Sequence, residues 1–204
     1  GKDYFSPGKF SENRILFSTM GYPYDQIIFS FKNNNIAISS FYLHLNPITD
    51  GGVRYNRHIN GHRISCFTSN GYIALNEVAI YGGLNQEIHL PLLNPFNLLY
   101  VHQMNNNFSL NSIISLEYLF EINKNYFFLE FVIDDFQIDK KEPGDLEPTE
   151  YAFMFEISRK VSDNIRYNFN YTQIANRTFN APVNIYEKMI YKQFPIGHYL
   201  GNNF

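Results

Sequence analysis

From residue 109 to residue 121 the chain changes character at every step. One parity reads Ser109, Asn111, Ile113, Ser115, Glu117, Leu119 and Glu121, and the other reads Leu110, Ser112, Ile114, Leu116, Tyr118 and Phe120. Successive side chains of a strand point to opposite sides, so a period of two describes a sheet with unlike faces and excludes a helix, whose period is 3.6. The pattern recurs. Over 150–160, Glu150, Ala152, Met154, Glu156, Ser158 and Lys160 oppose Tyr151, Phe153, Phe155, Ile157 and Arg159. Over 164–172, Asn164, Arg166, Asn168, Asn170 and Thr172 oppose Ile165, Tyr167, Phe169 and Tyr171. Ser40, Tyr42, His44 and Asn46 alternate with Ala37, Ser39, Phe41, Leu43 and Leu45. Further candidate strands cover 14–20, 26–32, 61–68, 71–81 and 126–139, which makes about nine in all.

Between them stand Asn33-Asn34-Asn35, Asp50-Gly51-Gly52, Ser69-Asn70-Gly71, Asn123-Lys124-Asn125 and Ser162-Asp163-Asn164. Joints this short and this rich in Asn, Asp and Gly connect antiparallel neighbours. The expected fold class is therefore all-β, an antiparallel up-and-down meander. Residues 82–108 and 140–149 are longer connections, 178–204 has no firm pattern, and no helix or fixed-period repeat is expected.

A length of 204 residues suits a single domain, 1–204. Twenty Phe and sixteen Tyr with no Trp favour pleated surfaces. A net charge of −3, with no basic cluster, argues against nucleic acid as a partner. Cys66 is the only cysteine, which excludes an intrachain disulfide and a thiolate zinc site. No apolar run is long enough for a transmembrane helix, but barrel strands need only about 9 to 11 alternating residues. Alternation also suits a soluble sandwich. What favours a membrane barrel is the make-up of the two faces: one rich in Phe and Tyr, with Tyr near strand ends, and one crowded with Asn, Ser, Glu, Arg and Thr.

Seven phrases, in order, add a resemblance: "GHRIS" at 61–65, "LNEVAIYGG" at 75–83, "LLNPFNLLY" at 92–100, "NNNFSL" at 105–110, "FFLEFVIDDFQID" at 127–139, "RYNFNYTQI" at 166–174 and "FPIGHYLG" at 194–201. Together they resemble the Wzi-type capsule assembly proteins of the Gram-negative cell outer membrane. The resemblance implies a closed barrel of about eighteen strands, of which nine would be an interior segment. It also implies capsular or other surface polysaccharide and outer-membrane lipid as partners, no cofactor, and binding, attachment or organisation of polysaccharide without catalysis. On this reading any signal peptide precedes Gly1 and Phe204 is a truncation point. The alternatives are a porin-like or export channel and a soluble β-sandwich that binds or hydrolyses glycans.

Candidate site residues follow from parity. In 126–137, Glu130 and Asp134 share a side with Tyr126, Phe128 and Val132, about 13 Å apart along the strand. Phe127, Leu129, Phe131 and Ile133 form the other side with Asp135. Glycosidases set two carboxylates about 5 to 9.5 Å apart across a sugar, whereas the adjacent acids here point apart. The acids are expected to pair with Arg63 or Arg166 in a polar interior or to bind sugar hydroxyls, because an unpaired buried charge costs several kcal/mol. Arg63 can grip a carboxylate such as Glu77 or an acidic sugar in bidentate fashion. Asn76 and Glu77 suit hydroxyl-rich ligands, and Asn94-Pro95 suits such a ligand or a turn. Asn106 lies in a run, 104–107, that reads as a loop or as a binding comb. His58 and His62 lack the spacing of a metal motif.

Overall fold

Nine strands form one antiparallel meander in which every neighbour in sequence is a neighbour in the sheet. They are β1 (Lys2–Asp3), β2 (Tyr24–Lys32), β3 (Ile36–Asp50), β4 (Val53–Thr68), β5 (Gly71–Leu84), β6 (Asn111–Ile122), β7 (Asn125–Asp135), β8 (Glu150–Ser162) and β9 (Ile165–Ile174). This computed structural model describes residues 1–8, 14–106, 108–135, 150–162, 165–180 and 184–199, excepting the side chains of Met104 and Asp135. The all-β meander expected from alternation is present, and the sheet is open, since β1 and β9 do not pair.

Turn chemistry fixes the register. Gly51 and Gly52 both have positive φ, +55° and +81°, as do Asn123 and Lys124 at 52° and 64°. That is the backbone of a two-residue turn whose twist matches the strands it joins. The expected strand end at 136–139, the connection 140–149, Asp163 and Asn164 of the Ser162-Asp163-Asn164 turn, and Phe204 lie outside the described residues.

Two expectations are corrected. Residues 14–20 alternate like a strand but form none. They run irregularly beneath the sheet, where Ile15, Leu16 and Phe17 are buried with Phe5, Phe41, Phe128 and Ile196. A helix is also present, α1 (Leu99–Asn106), after a 3₁₀ turn at Leu90–Leu93. The segment 178–204 supplies, within its described part, a 3₁₀ turn at Ile185–Glu187 and a two-stranded ribbon, β10 (Ile190–Tyr191) with β11 (Phe194–Pro195).

The sheet thus has an inner face, covered by residues 5–8, 14–18, 178–180 and 184–198, and an outer face. Phe5, Phe17 and Phe41 form an aromatic knot on the inner side, with ring centroids 4.3 to 5.8 Å apart. The tip of the Phe41 ring lies against Gly61, where a Cβ would sit 2.2 Å from its Cζ. On the outer face, register aligns apolar side chains across strands. One row runs Phe31, Ile38, Ile64, Leu75, Leu116, Phe131, Phe153. The next runs Ile36, Cys66, Ile73, Tyr118, Leu129, Phe155, Tyr171. Leu75, Leu116 and Phe131 remain 47%, 46% and 39% exposed in the middle of the sheet, where an ordinary core would cover them.

The two ends of β3 and β4 differ in this respect. At Phe41, Leu43 and Leu45 the apolar parity of β3 turns inward, and Ser40, Tyr42 and His44 lie on the outer face. The connection 85–110 covers the outer face of the neighbouring strands there: Leu92, Leu99 and Leu110 bury against Ala79 and Tyr81 of β5.

Candidate functional site

Inward-facing positions of β4 to β7 bring together a group of charges with almost no access to solvent. Arg63 on β4 stands opposite Asn76 on β5, which stands opposite Ser115 on β6. Two residues along β6, Glu117 stands directly opposite Glu130 on β7. Two like charges facing each other across a ladder repel, and both carboxylates are 0% exposed. Arg14, carried by the irregular segment beneath the sheet, is placed between them. Its Nη2 pairs with Glu117 Oε1 and lies 3.4 Å from Glu130 Oε1.

The remaining acceptors are filled from three directions. Arg63 grips Glu117 in bidentate fashion, Nη1 to Oε1 at 2.6 Å and Nη2 to Oε2 at 3.0 Å, and also donates to Asn76 Oδ1 at 2.8 Å. Asn76 Nδ2 donates to Glu117 Oε1 at 2.7 Å and to Ser115 Oγ at 2.9 Å, and the Tyr72 hydroxyl reaches Glu117 Oε2 at 3.3 Å. Glu130 accepts the backbone N–H groups of Ile15 at 2.7 Å and Leu16 at 3.3 Å. Arg14 Nε and Nη1 have no hydrogen-bond partner among the described residues, while its guanidinium lies 5.5 Å from the centroid of the Phe128 ring.

Elsewhere the inner face uses the same chemistry to hold irregular backbone. Arg57 donates to the carbonyls of Tyr186, Lys188 and Ile190. Asp134 accepts the N–H of Phe179, and it sits where β7 has one residue more than β8, between Ile133 and Asp135. A buried segment without a ladder must find partners for its peptide groups, and these ionised side chains supply them.

Of the expected site residues, Arg63, Asn76 and Glu130 meet in one network. Asp134 faces the same side as Glu130, as parity requires, but serves the Phe179 segment; the Asp135 side chain lies outside the described residues. Glu77 does not pair with Arg63. It stands opposite His62 on the outer face, and its Oε1 accepts the backbone N–H of Tyr100 at 3.0 Å. The register places Arg63 against Asn76, and the next residue must then point the other way. Asn106 lies at the end of α1, exposed, bonded only to His102. Arg166 is exposed on β9 and forms no ion pair among the described residues.

Arg14 was not singled out by sequence, because its alternating neighbours read as strand. Glu117 was visible only as one polar position in the alternating run 109–121. Chemically the network can clamp chain to chain, and its Glu117–Glu130 pair is engaged by two arginines and two peptide groups. Among the described residues no three His, Cys, Asp or Glu side chains converge as metal ligands, and no helix is long and apolar enough to cross a membrane. No family model, no curated protein and no solved structure matches the chain.

Proposed function

We propose that the chain is part of the wall of an outer-membrane β-barrel of the capsule assembly type, which binds, attaches or organises surface polysaccharide without catalysis. The observation that carries the membrane part is the distribution of polarity: ion pairs buried on one face of the sheet, and rows of exposed Ile, Leu, Phe and Tyr on the other. A soluble sandwich covers such a face with a second sheet, and the one other sheet among the described residues, the ribbon of β10 and β11, lies against the inner face. Along β6 the apolar stretch from Ile114 to Phe120 rises about 20 Å, comparable with the roughly 25 Å band of outer-membrane barrels. Exposed rows in water would forfeit on the order of 1 kcal/mol for each half-covered side chain, and lipid removes that loss.

The polysaccharide part rests on the resemblance carried by phrases such as "LNEVAIYGG" and "FFLEFVIDDFQID". Phe5, Ile15, Leu16 and Phe17 from one segment and Phe179, Met189, Tyr191 and Ile196 from another occupy the inner face, which weighs against an open conduit. Glu117 and Glu130 are wholly enclosed and already bonded, which weighs against hydrolysis. Two measurements test the reading. The protein should partition into detergent and fractionate with outer membranes, and solubility without detergent would sink the membrane part. Cells lacking the full-length protein should release polysaccharide that wild-type cells retain; unchanged retention would remove the capsule assignment.

A further inference from the structure

The outer face has polar residues that a lipid-facing wall should not carry. Ser40, His62 and Glu77 form one register row immediately beside the apolar row of Ile38, Ile64 and Leu75. Each is joined to the connection between β5 and β6. Ser40 Oγ donates to the carbonyl of Leu93 at 2.6 Å, the His62 ring bonds the carbonyl of Leu92 at 3.0 Å, and Glu77 accepts the N–H of Tyr100. These are backbone groups at the close of a 3₁₀ turn and in the first turn of α1, the peptide groups that helix ends leave without internal partners. The polar row and the irregular backbone therefore satisfy each other.

The other side of the same connection is apolar and bare. Leu90, Phe96 and Leu98 are 66%, 82% and 62% exposed, and Tyr100 and Val101 are also exposed. Irregular backbone exposed to lipid is excluded from the hydrocarbon region, so this connection, with exposed Asn85, Glu87 and Asn94 among its residues, belongs at the boundary of the band, where the sheet bonds its Leu92 and Leu93 carbonyls and its Tyr100 N–H. The connections at the opposite end of the sheet, 33–35, 69–70 and 123–124, are short. Outer-membrane barrels keep short turns on the periplasmic side and long ones outside.

We propose that residues 85–106 form an interfacial collar at the outward boundary of the apolar band, docked on β3, β4 and β5 through Ser40, His62 and Glu77 and presenting Leu90, Phe96 and Leu98 to the outermost part of the acyl layer. The collar is anchored at Glu77, two residues along β5 from the exposed Leu75, and its exposed Tyr100 sits at that anchor, so the occupant that fits both the collar and the row of Ile64 and Leu75 is the same lipid. This inference rests on the membrane reading above, and one experiment separates the two.

Cys66, the single thiol, lies exposed in the second apolar row and serves as a label site in the native chain. Phe96→Cys in a Cys66→Ser background places the same fluorophore on the collar at an exposed position. The full chain is refolded into phosphatidylcholine vesicles carrying nitroxide either shallow or deep in the acyl region, and aqueous iodide is the competing quencher. The expected result is loss of emission at Cys66 with deep nitroxide, and loss at position 96 with shallow nitroxide but not with iodide. If Cys66 is lipid-quenched while position 96 responds only to iodide, the collar is wrong and the membrane wall stands. If Cys66 responds only to iodide, the membrane reading fails and takes the collar with it.

Discussion

Arg14 is the residue on which the buried network depends. It separates Glu117 from Glu130, which face each other on adjacent strands with no access to water. Replacing Arg14 by Ala leaves two buried carboxylates with one arginine, and breaking a buried pair in this way costs about 3 to 5 kcal/mol. Glu130→Gln keeps the shape and one acceptor for Ile15 and Leu16, so its cost should be nearer 1 to 3 kcal/mol. Denaturant unfolding in detergent is expected to rank Arg14→Ala as the more damaging, and the reverse order would mean that the carboxylates do not repel as the register implies. Gly61→Ala drives a methyl into the Phe41 ring, an overpacking that costs about 1 to 3 kcal/mol by the same measurement. Parity in the sequence put Glu130 and Asp134 on one face, and the structure agrees; it offered Glu77 as the partner of Arg63, and the structure gives that place to Asn76. The fate of Glu77 turned on a single residue of turn length. With Ser69 and Asn70 alone as the turn, Arg63 meets Asn76, and a turn one residue longer would have exchanged the faces. Arg14 could not be read, because Arg14, Leu16 and Ser18 against Ile15 and Phe17 is the pattern of a strand in a segment that bonds instead to a carboxylate and to Ile196.

At the scale of elements, the alternation located β2 to β9 because each has an unlike pair of faces, and the Gly and Asn turns set their order. It could not locate α1, whose eight residues, Leu99-Tyr100-Val101-His102-Gln103-Met104-Asn105-Asn106, mix apolar and polar types with little helical bias. That helix is held by tertiary bonds, and its weakest point is testable. His62→Ala removes the partner of the Leu92 carbonyl, and amide exchange over 85–108 is expected to quicken while that of β6 and β7 stays unchanged. A uniform increase across the sheet would mean that the connection is not a separate unit. The same element should respond to acid. His89 and His102 lie Nε2 to Nε2 at 3.0 Å, and His89 stacks on Phe108 with centroids 4.5 Å apart. Burial, and then the neighbouring His102, hold the His89 imidazole below its usual range. A group whose folded value is depressed adds stability above its unfolded value of about 6.5 and loses it as pH falls through the folded one. Exchange over α1, corrected for intrinsic rates, should therefore accelerate as pH falls below about 6.5, and His89→Phe should flatten the response.

For the whole molecule, the open edges decide how it behaves in isolation. Every described residue of β9 from Ile165 to Tyr171 is exposed, as are Ile27 to Lys32 of β2, and an unpaired edge invites another strand. Inside a bilayer such an edge is untenable unless further strands complete the ring. The chain of 204 residues, refolded in detergent, is expected to sediment as dimers or larger species, and a stable monomer would show that its edges are already protected. The position of Arg14 has a further meaning for how such a wall is made. Its partners lie 103 and 116 residues later in the chain, so the hairpin of β6 and β7 emerges with its two carboxylates unreconciled and stays so until the earliest segment returns to it. That segment acts as a clasp that can close only once the four strands carrying Arg63, Asn76, Glu117 and Glu130 are in register, so a slipped hairpin leaves the clasp open and marks the error in the finished sheet.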